Sequence, residues 1–171
     1  TTSTGSQSFA MGYSSDATGH QSTALGSLCN AIGPQSFALG SSTVASGAKS
    51  TAMGDDTNAS GSNSIALNYK TTASGANSLA IGSATYATTS QATAMGSSTV
   101  ASGVNATAMG RFTNARTYSS LAIGQYNMGF YGEPSSWNNN DPVFEVGNGM
   151  SSSTKSNAFT VYKNGNVEVQ N

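Results

Sequence analysis

The stretch Ser36–Lys49 reads SFALGSSTVASGAK and sets the frame Ala-x-Gly twice, at Ala38-Leu39-Gly40 and, seven residues on, at Ala45-Ser46-Gly47. The flanks differ. Phe37 and Leu39 surround the first alanine, Val44 and Ser46 the second. Working outward, alanine recurs at every seventh position from Ala10 to Ala122, 17 times without a miss. The residue two places later is glycine at 14 of these sites, with Asn68, Thr89 and Thr117 as the exceptions. Internal periodicity of this kind decides architecture before any single element is read.

The flanks repeat every 14 residues. One set of alanines carries Phe9/Met11, Thr23/Leu25, Phe37/Leu39, Thr51/Met53, Ile65/Leu67, Leu79/Ile81, Thr93/Met95, Thr107/Met109 and Leu121/Ile123. The alternate set is mostly polar, from Asp16/Thr18 through Tyr86/Thr88 to Asn114/Arg116. A heptad coiled coil needs two apolar positions per seven in a helix-favouring background. This background is Gly, Ser, Thr and Asn, and each glycine costs a helix about 1 kcal/mol. Helix is rejected.

In a strand, residues i and i+2 share a face. Ser36, Ala38 and Gly40 then point one way, Phe37 and Leu39 the other. Two short strands per 14 residues, each ended by a glycine bend of positive φ, make one coil of a β-solenoid. Asn68 is the next-best residue for such a bend. Coils stacked at ~4.8 Å give a rod roughly 40 Å long over nine copies. The two strands of so thin a coil leave room between them for Ala, Gly and Ser only. The outer face of the second strand is polar. The outer face of the first is a continuous apolar stripe: Phe9, Met11, Leu25, Phe37, Leu39, Met53, Ile65, Leu67, Leu79, Ile81, Met95, Met109, Leu121 and Ile123. A stripe of that length marks an interface, and identical chains about a rotation axis are its simplest cover. The spacing does not choose two, three or more copies.

Composition narrows function by exclusion. Six Lys and Arg against seven Asp and Glu give a net charge of -1, so a basic field for nucleic acid is absent. No apolar run approaches the ~20 residues of a membrane span. Cys29 is the single cysteine, which rules out an intrachain disulfide and reads as a buried or idle thiol. The chain begins at Thr1 without Met, as a piece or processed form of something longer would.

The motifs Ser78-Leu79-Ala80-Ile81-Gly82 and Ser120-Leu121-Ala122-Ile123-Gly124 resemble the head repeat of YadA-like trimeric autotransporter adhesins. The likeness runs over about residues 5 to 124. It implies a left-handed parallel β-roll and a homotrimer on the bacterial surface that attaches to host matrix protein, cells or glycan. Similar heads occur in fibres of phages and contractile injection particles. After Gly124 no heptad stalk follows, in contrast to the adhesins. QYNMGFYGEPSSWNNNDP is a connection instead, and PVFEVGNG and NAFTVYKNGNVEVQ alternate like strands. Lys163-Asn164-Gly165-Asn166 reads as a type I′ hairpin turn. The tail resembles the VGNG…SNAFTV…NGNV segments of fibre-like proteins. The expected organisation is an all-β head over 1–124, a connection over 125–142 and a small β cap over 143–171 that closes the open end of the roll.

Chemistry finds little support. His20 and Cys29 lack an orienting acid nearby in sequence, and zinc would need three or four ligands. Asp55-Asp56 does not recur every coil as calcium-binding rolls require. No phosphate loop is present. We expect no catalytic residue, no metal and no cofactor. Tyr13, Tyr69, Tyr86 and Trp137 are the candidate exposed recognition aromatics, with Tyr13 and Tyr69 placed in bends. The outward positions Thr18, Ile32, Ser46, Ser60, Ser74, Thr88, Ser102 and Arg116 are too irregular for an ice-binding ladder. The expected function is a non-enzymatic adhesive or receptor-binding head of an extracellular fibre, on a bacterial surface or at the tip of a phage or injection-particle fibre. The alternative is a structural spacer.

Overall fold

A computed structural model describes residues 1–170; Asn171, the last residue of the expected cap, lies outside the described residues. The chain is all-β. Each 14-residue coil gives one five-residue strand, such as Phe37–Ser41, and one two-residue strand, such as Val44–Ala45. The long strands stack in parallel from Phe9–Tyr13 to Leu121–Gln125, each in register with the residue 14 further on: Leu25 with Leu39, Leu39 with Met53. The two-residue strands form a second parallel sheet of nine, from Thr2–Ser3 to Asn114–Ala115. The result is the expected β-solenoid of about nine turns.

The alanine columns are its core. Every repeat alanine from Ala17 to Ala122 is fully buried. The inward column just before them on the short-strand side holds Thr43, Thr57, Thr71, Thr85, Thr99 and Thr113, all buried. The expectation that only Ala, Gly and Ser fit is corrected here. The larger side chains occupy the volume that the long-strand glycines leave open: a Cβ on Gly26 would lie 3.1 Å from Cys29 Sγ. Cys29 holds one place in this same column, and its thiol reaches the carbonyls of Leu25 and Gly40, each at 3.2 Å.

The glycines also differ from expectation. Gly40 sits inside its strand, not in a bend, at φ 128°. A Cβ there would meet the Gly54 carbonyl oxygen at 1.9 Å, so the residue is set by close approach of the next coil. The bends are held instead by 18 non-glycine residues, every seventh from Gln7 to Tyr126, all in the left-handed region. Leu28 (φ 58°) and Phe112 (φ 51°) are among them. L-residues pay roughly 1–2 kcal/mol each for this conformation. Against that, each core alanine buries one methyl group, and a buried CH₂ is worth about 0.8 kcal/mol. The coil interior alone is a weak source of stability.

Past Gln125 the chain crosses the end of the roll. Val104 and Tyr118 donate their N–H groups to the carbonyls of Pro134 and Glu133, which pins the connection along the bend edge. Pro142–Asn148 then adds in parallel to Leu121–Gln125, and Asn157–Tyr162 and Val167–Val169 follow antiparallel. The hairpin is present at the expected place, but its turn is not type I′. Gly165 alone has positive φ (89°), Asn164 does not, and Gly165 N–H donates to Tyr162 C=O at 3.0 Å. This is a type I turn followed by a left-handed glycine, the other common hairpin solution.

Candidate interaction face

The outer face of the long sheet is open along its length. Phe9 and Met11 are more than half exposed, and Met53, Ile65 and Met109 are exposed as well. Leu25, Phe37, Leu39, Leu67, Leu79, Ile81, Met95, Leu121 and Ile123 are half-buried. Strand alternation places all of them on one side, and parallel register aligns them coil upon coil.

The stripe does not stop at Ile123. Leu121 pairs with Phe144 and Ile123 with Val146; these pair in turn with Val161 and Phe159, which face Val167 and Val169. Phe144 and Phe159 meet edge to face with centroids 6.0 Å apart. These six residues were missed as members of the face. The alternation in PVFEV and NAFTV signalled strands, but the register across the connection was needed to place them on this side.

The inner face of the cap carries the opposite chemistry. Glu145 takes the place of the core alanine, in register with Ala122, and is 3% exposed. Its Oε1 accepts from Asn157 Nδ2 at 2.8 Å and its Oε2 from Asn127 Nδ2 at 3.0 Å. Backbone N–H groups of Gly129 and Phe130 also reach it. Burial raises its pKa above the usual carboxylate value, and these donors work against that rise. Past the end of Asn157–Tyr162, Lys163 Nζ lies near the rings of Trp137 (5.1 Å) and Tyr118 (5.9 Å), with Asp141 Oδ2 at 3.9 Å. Burial lowers the Lys163 pKa, and Asp141 opposes the shift.

The four aromatics do not converge. Tyr13 and Tyr69 end long strands and are not in bends, a correction that follows from the strands being five residues long. Both are exposed, with the Lys70 ammonium 5.1 Å from the Tyr69 ring centroid. Tyr86 begins a two-residue strand and faces out from the short sheet. Trp137 lies in the connection, and its indole N–H donates to Asn139 Oδ1 at 2.8 Å. His20 is exposed in a turn while Cys29 is fully buried; Asp55 and Asp56 are exposed. Among the described residues, no three His, Cys, Asp or Glu side chains come together to hold a metal ion.

A parallel β-solenoid with an alanine core and one open apolar face defines a repeat protein of the β-roll class. The chain belongs to the YadA head family: the model of the YadA head domain repeat, two copies to a unit, matches residues 3–28, 31–57, 45–67, 73–99 and 101–127. No curated protein matches the chain. Heads of this family generally form homotrimers, and YadA-like adhesins are surface-exposed. No helix among the described residues is long and apolar enough to cross a membrane.

Proposed function

We propose that this chain is the adhesive head of a homotrimeric fibre, exposed on a bacterial surface or at the tip of a phage or injection-particle fibre, where it attaches to host cells, matrix protein or glycan. The observation that carries this reading is the uncovered apolar face. Phe9, Met11, Leu25, Phe37, Leu39, Met53, Ile65, Leu67, Leu79, Ile81, Met95, Met109, Leu121 and Ile123 form the contact between three chains. Each large side chain buried there contributes about 1.5–3 kcal/mol, which the thin coil interior does not supply. Folding and assembly are therefore coupled. The roll is left-handed, with the head ending near Gly124 and the cap from 143 onward sealing it. Tyr86 and Trp137 lie away from the contact, Tyr13 and Tyr69 end strands that contribute Phe9, Met11, Ile65 and Leu67 to it, and all four are exposed for recognition.

Light scattering with unfolding scans over a dilution series tests the assembly: trimer mass with a concentration-dependent midpoint is expected, and a folded monomer at nanomolar concentration refutes it. Leu39→Asp with Ile81→Asp should abolish the trimer and attachment to host-cell and matrix surfaces together. The near-uniformity of the coils favours a second reading, a spacer whose affinity lies in another segment. Trimers that bind no such surface above background decide for the spacer.

A further inference from the structure

The connection and the last coils border an open groove of about 430 Å³ on the short-sheet side of the roll, lined by Val100, Ser102, Asn114, Arg116, Tyr131 and Pro134 among others. This volume falls within the roughly 300–1,000 Å³ of small-ligand sites. The groove lies across the coil from the open long-sheet face, so trimer formation leaves it accessible. Its chemistry is specific. The Arg116 guanidinium stands 4.2 Å from the Tyr131 ring centroid. No carboxylate holds it: the one ion pair among the described residues is Lys163 with Asp141. Tyr131 as a residue is 89% exposed, so the ring face turned away from Arg116 is open to a ligand. The floor adds apolar patches from Val100 and Pro134, while the Ser102 hydroxyl and the Asn114 amide make no side-chain hydrogen bonds among the described residues.

We propose that this groove binds a carboxylate-bearing sugar, with Arg116 pairing the carboxylate and Tyr131 stacking on the ring. A guanidinium presents a planar fork that matches a carboxylate bidentately. An aromatic face suits the C–H side of a sugar ring, and hydroxyl and amide groups suit its hydroxyls. A hydrogen bond from the Arg116 side chain first, then its charge and, more weakly, that of Lys155, hold the Tyr131 phenol pKa below its usual value. A polyanion such as nucleic acid or a heavily sulfated chain needs a run of cations, and the six Lys and Arg of this chain are scattered. The proposal deepens the adhesive reading by naming the ligand class, and rests on it for biological meaning only.

The experiment titrates the folded trimer with galacturonic acid and N-acetylneuraminic acid, with neutral galactose and an acidic tripeptide as comparison arms, by saturation-transfer NMR. At least tenfold tighter binding of the acid sugars than of galactose is expected. Arg116→Met, which keeps the stem over Tyr131, should bring them to the galactose level, and Tyr131→Ala should weaken all sugars. Both positions are at the surface, and unchanged circular dichroism and trimer mass confirm folding. Equal binding of acid and neutral sugar, binding unaffected by Arg116→Met, or binding of the tripeptide alone overturns the proposal. The tripeptide result would point to a protein partner instead. If no sugar binds while trimers still attach to host surfaces, the groove assignment falls and the head reading stands; if attachment also fails, both fall.

Discussion

Asn127 pairs with Asn114 as a further strand would: its Oδ1 accepts from the Asn114 backbone N–H at 2.7 Å and its Nδ2 donates to the Asn114 carbonyl at 2.9 Å. Asn114–Ala115 is the last strand of the short sheet, and nothing follows it in register. One fully buried side-chain amide thus completes an edge that would otherwise be open, and the same Nδ2 reaches Glu145. A sheet edge left unpaired is both a stability defect and a template for aggregation.

Asn127→Leu keeps the volume and removes both pairings. Each unsatisfied buried group costs about 1–3 kcal/mol, so a loss of about 3 kcal/mol is expected in urea unfolding. Amide exchange at Asn114 should quicken far more than at Asn58, which pairs within the middle of the sheet.

Two kinds of positive-φ position respond to substitution with opposite signs. Gly40→Ala places a methyl 1.9 Å from the Gly54 carbonyl oxygen, which only backbone movement relieves. A loss of roughly 3 kcal/mol or more is expected, typical of a change at a special backbone position. Leu28 is half exposed at φ 58° and contributes little packing. Leu28→Gly should raise stability by up to about 1 kcal/mol, because glycine carries no left-handed penalty. Thermal unfolding of the two variants beside the parent checks both signs.

The cap responds to pH through two groups whose folded pKa values lie above the ordinary ones. Burial raises Glu145. Its contribution is fully present below the unfolded value of 4.5 and is lost as pH rises through the folded value. Acidification from neutrality should therefore not loosen the cap through Glu145. Tyr162, half-buried and donating to Glu168 Oε2 at 2.9 Å, is pushed up to about 12 by desolvation first and by Glu168 after it. Its contribution persists below pH 10 and disappears between about 10 and 12. Absorbance at 295 nm should show one tyrosine titrating late, and Tyr162→Phe should remove that step. A Tyr162 that ionises together with the exposed tyrosines contradicts this account.

Cys29 fills a column otherwise made of Thr and Ser, and it is fully buried. Cys29→Ser should change stability by less than about 1 kcal/mol, because the Ser15 hydroxyl one coil earlier donates to the Gly26 carbonyl at 2.9 Å just as the Cys29 thiol reaches that of Gly40. Cys29→Leu should be severely destabilising by overpacking. In the parent, the thiol should stay inert to a disulfide reagent until the chain is unfolded.

The coil and its inside-outside order were legible because the alanines mark the inward column directly: 16 of the 17, Ala17 to Ala122, are fully buried. The bends were misplaced because residue type does not mark them. Gln7, Leu28, Lys49 and Phe112 share a backbone angle and nothing else. The cap was legible as strands, yet Phe144, Val146, Phe159 and Val161 joined the open face only through a register that crosses the connection. The Arg116 and Tyr131 pairing depends on how that connection folds back along the bend edge, which no local pattern encodes.

Register makes the coil the unit of change. Long strand pairs with long strand at a step of 14, and the intervening short strands do likewise. Removing residues 44–57 joins Thr43 to Asn58 and keeps both columns in step: the short strand Asn58–Ala59 takes the place of Val44–Ala45, and Met53 of the stripe leaves with its coil. Solenoid stability is close to a sum of repeat and neighbour contributions, so this variant should fold, assemble and lose length equivalent to one ~4.8 Å layer. Removing only residues 44–50 sets a five-residue strand where a two-residue strand is needed and turns Met53 toward the polar side. That variant should aggregate or stay unfolded. Solution scattering and circular dichroism separate the outcomes, and equal tolerance of both deletions would mean that the two sheets are interchangeable, contrary to the threonine and glycine columns that distinguish them.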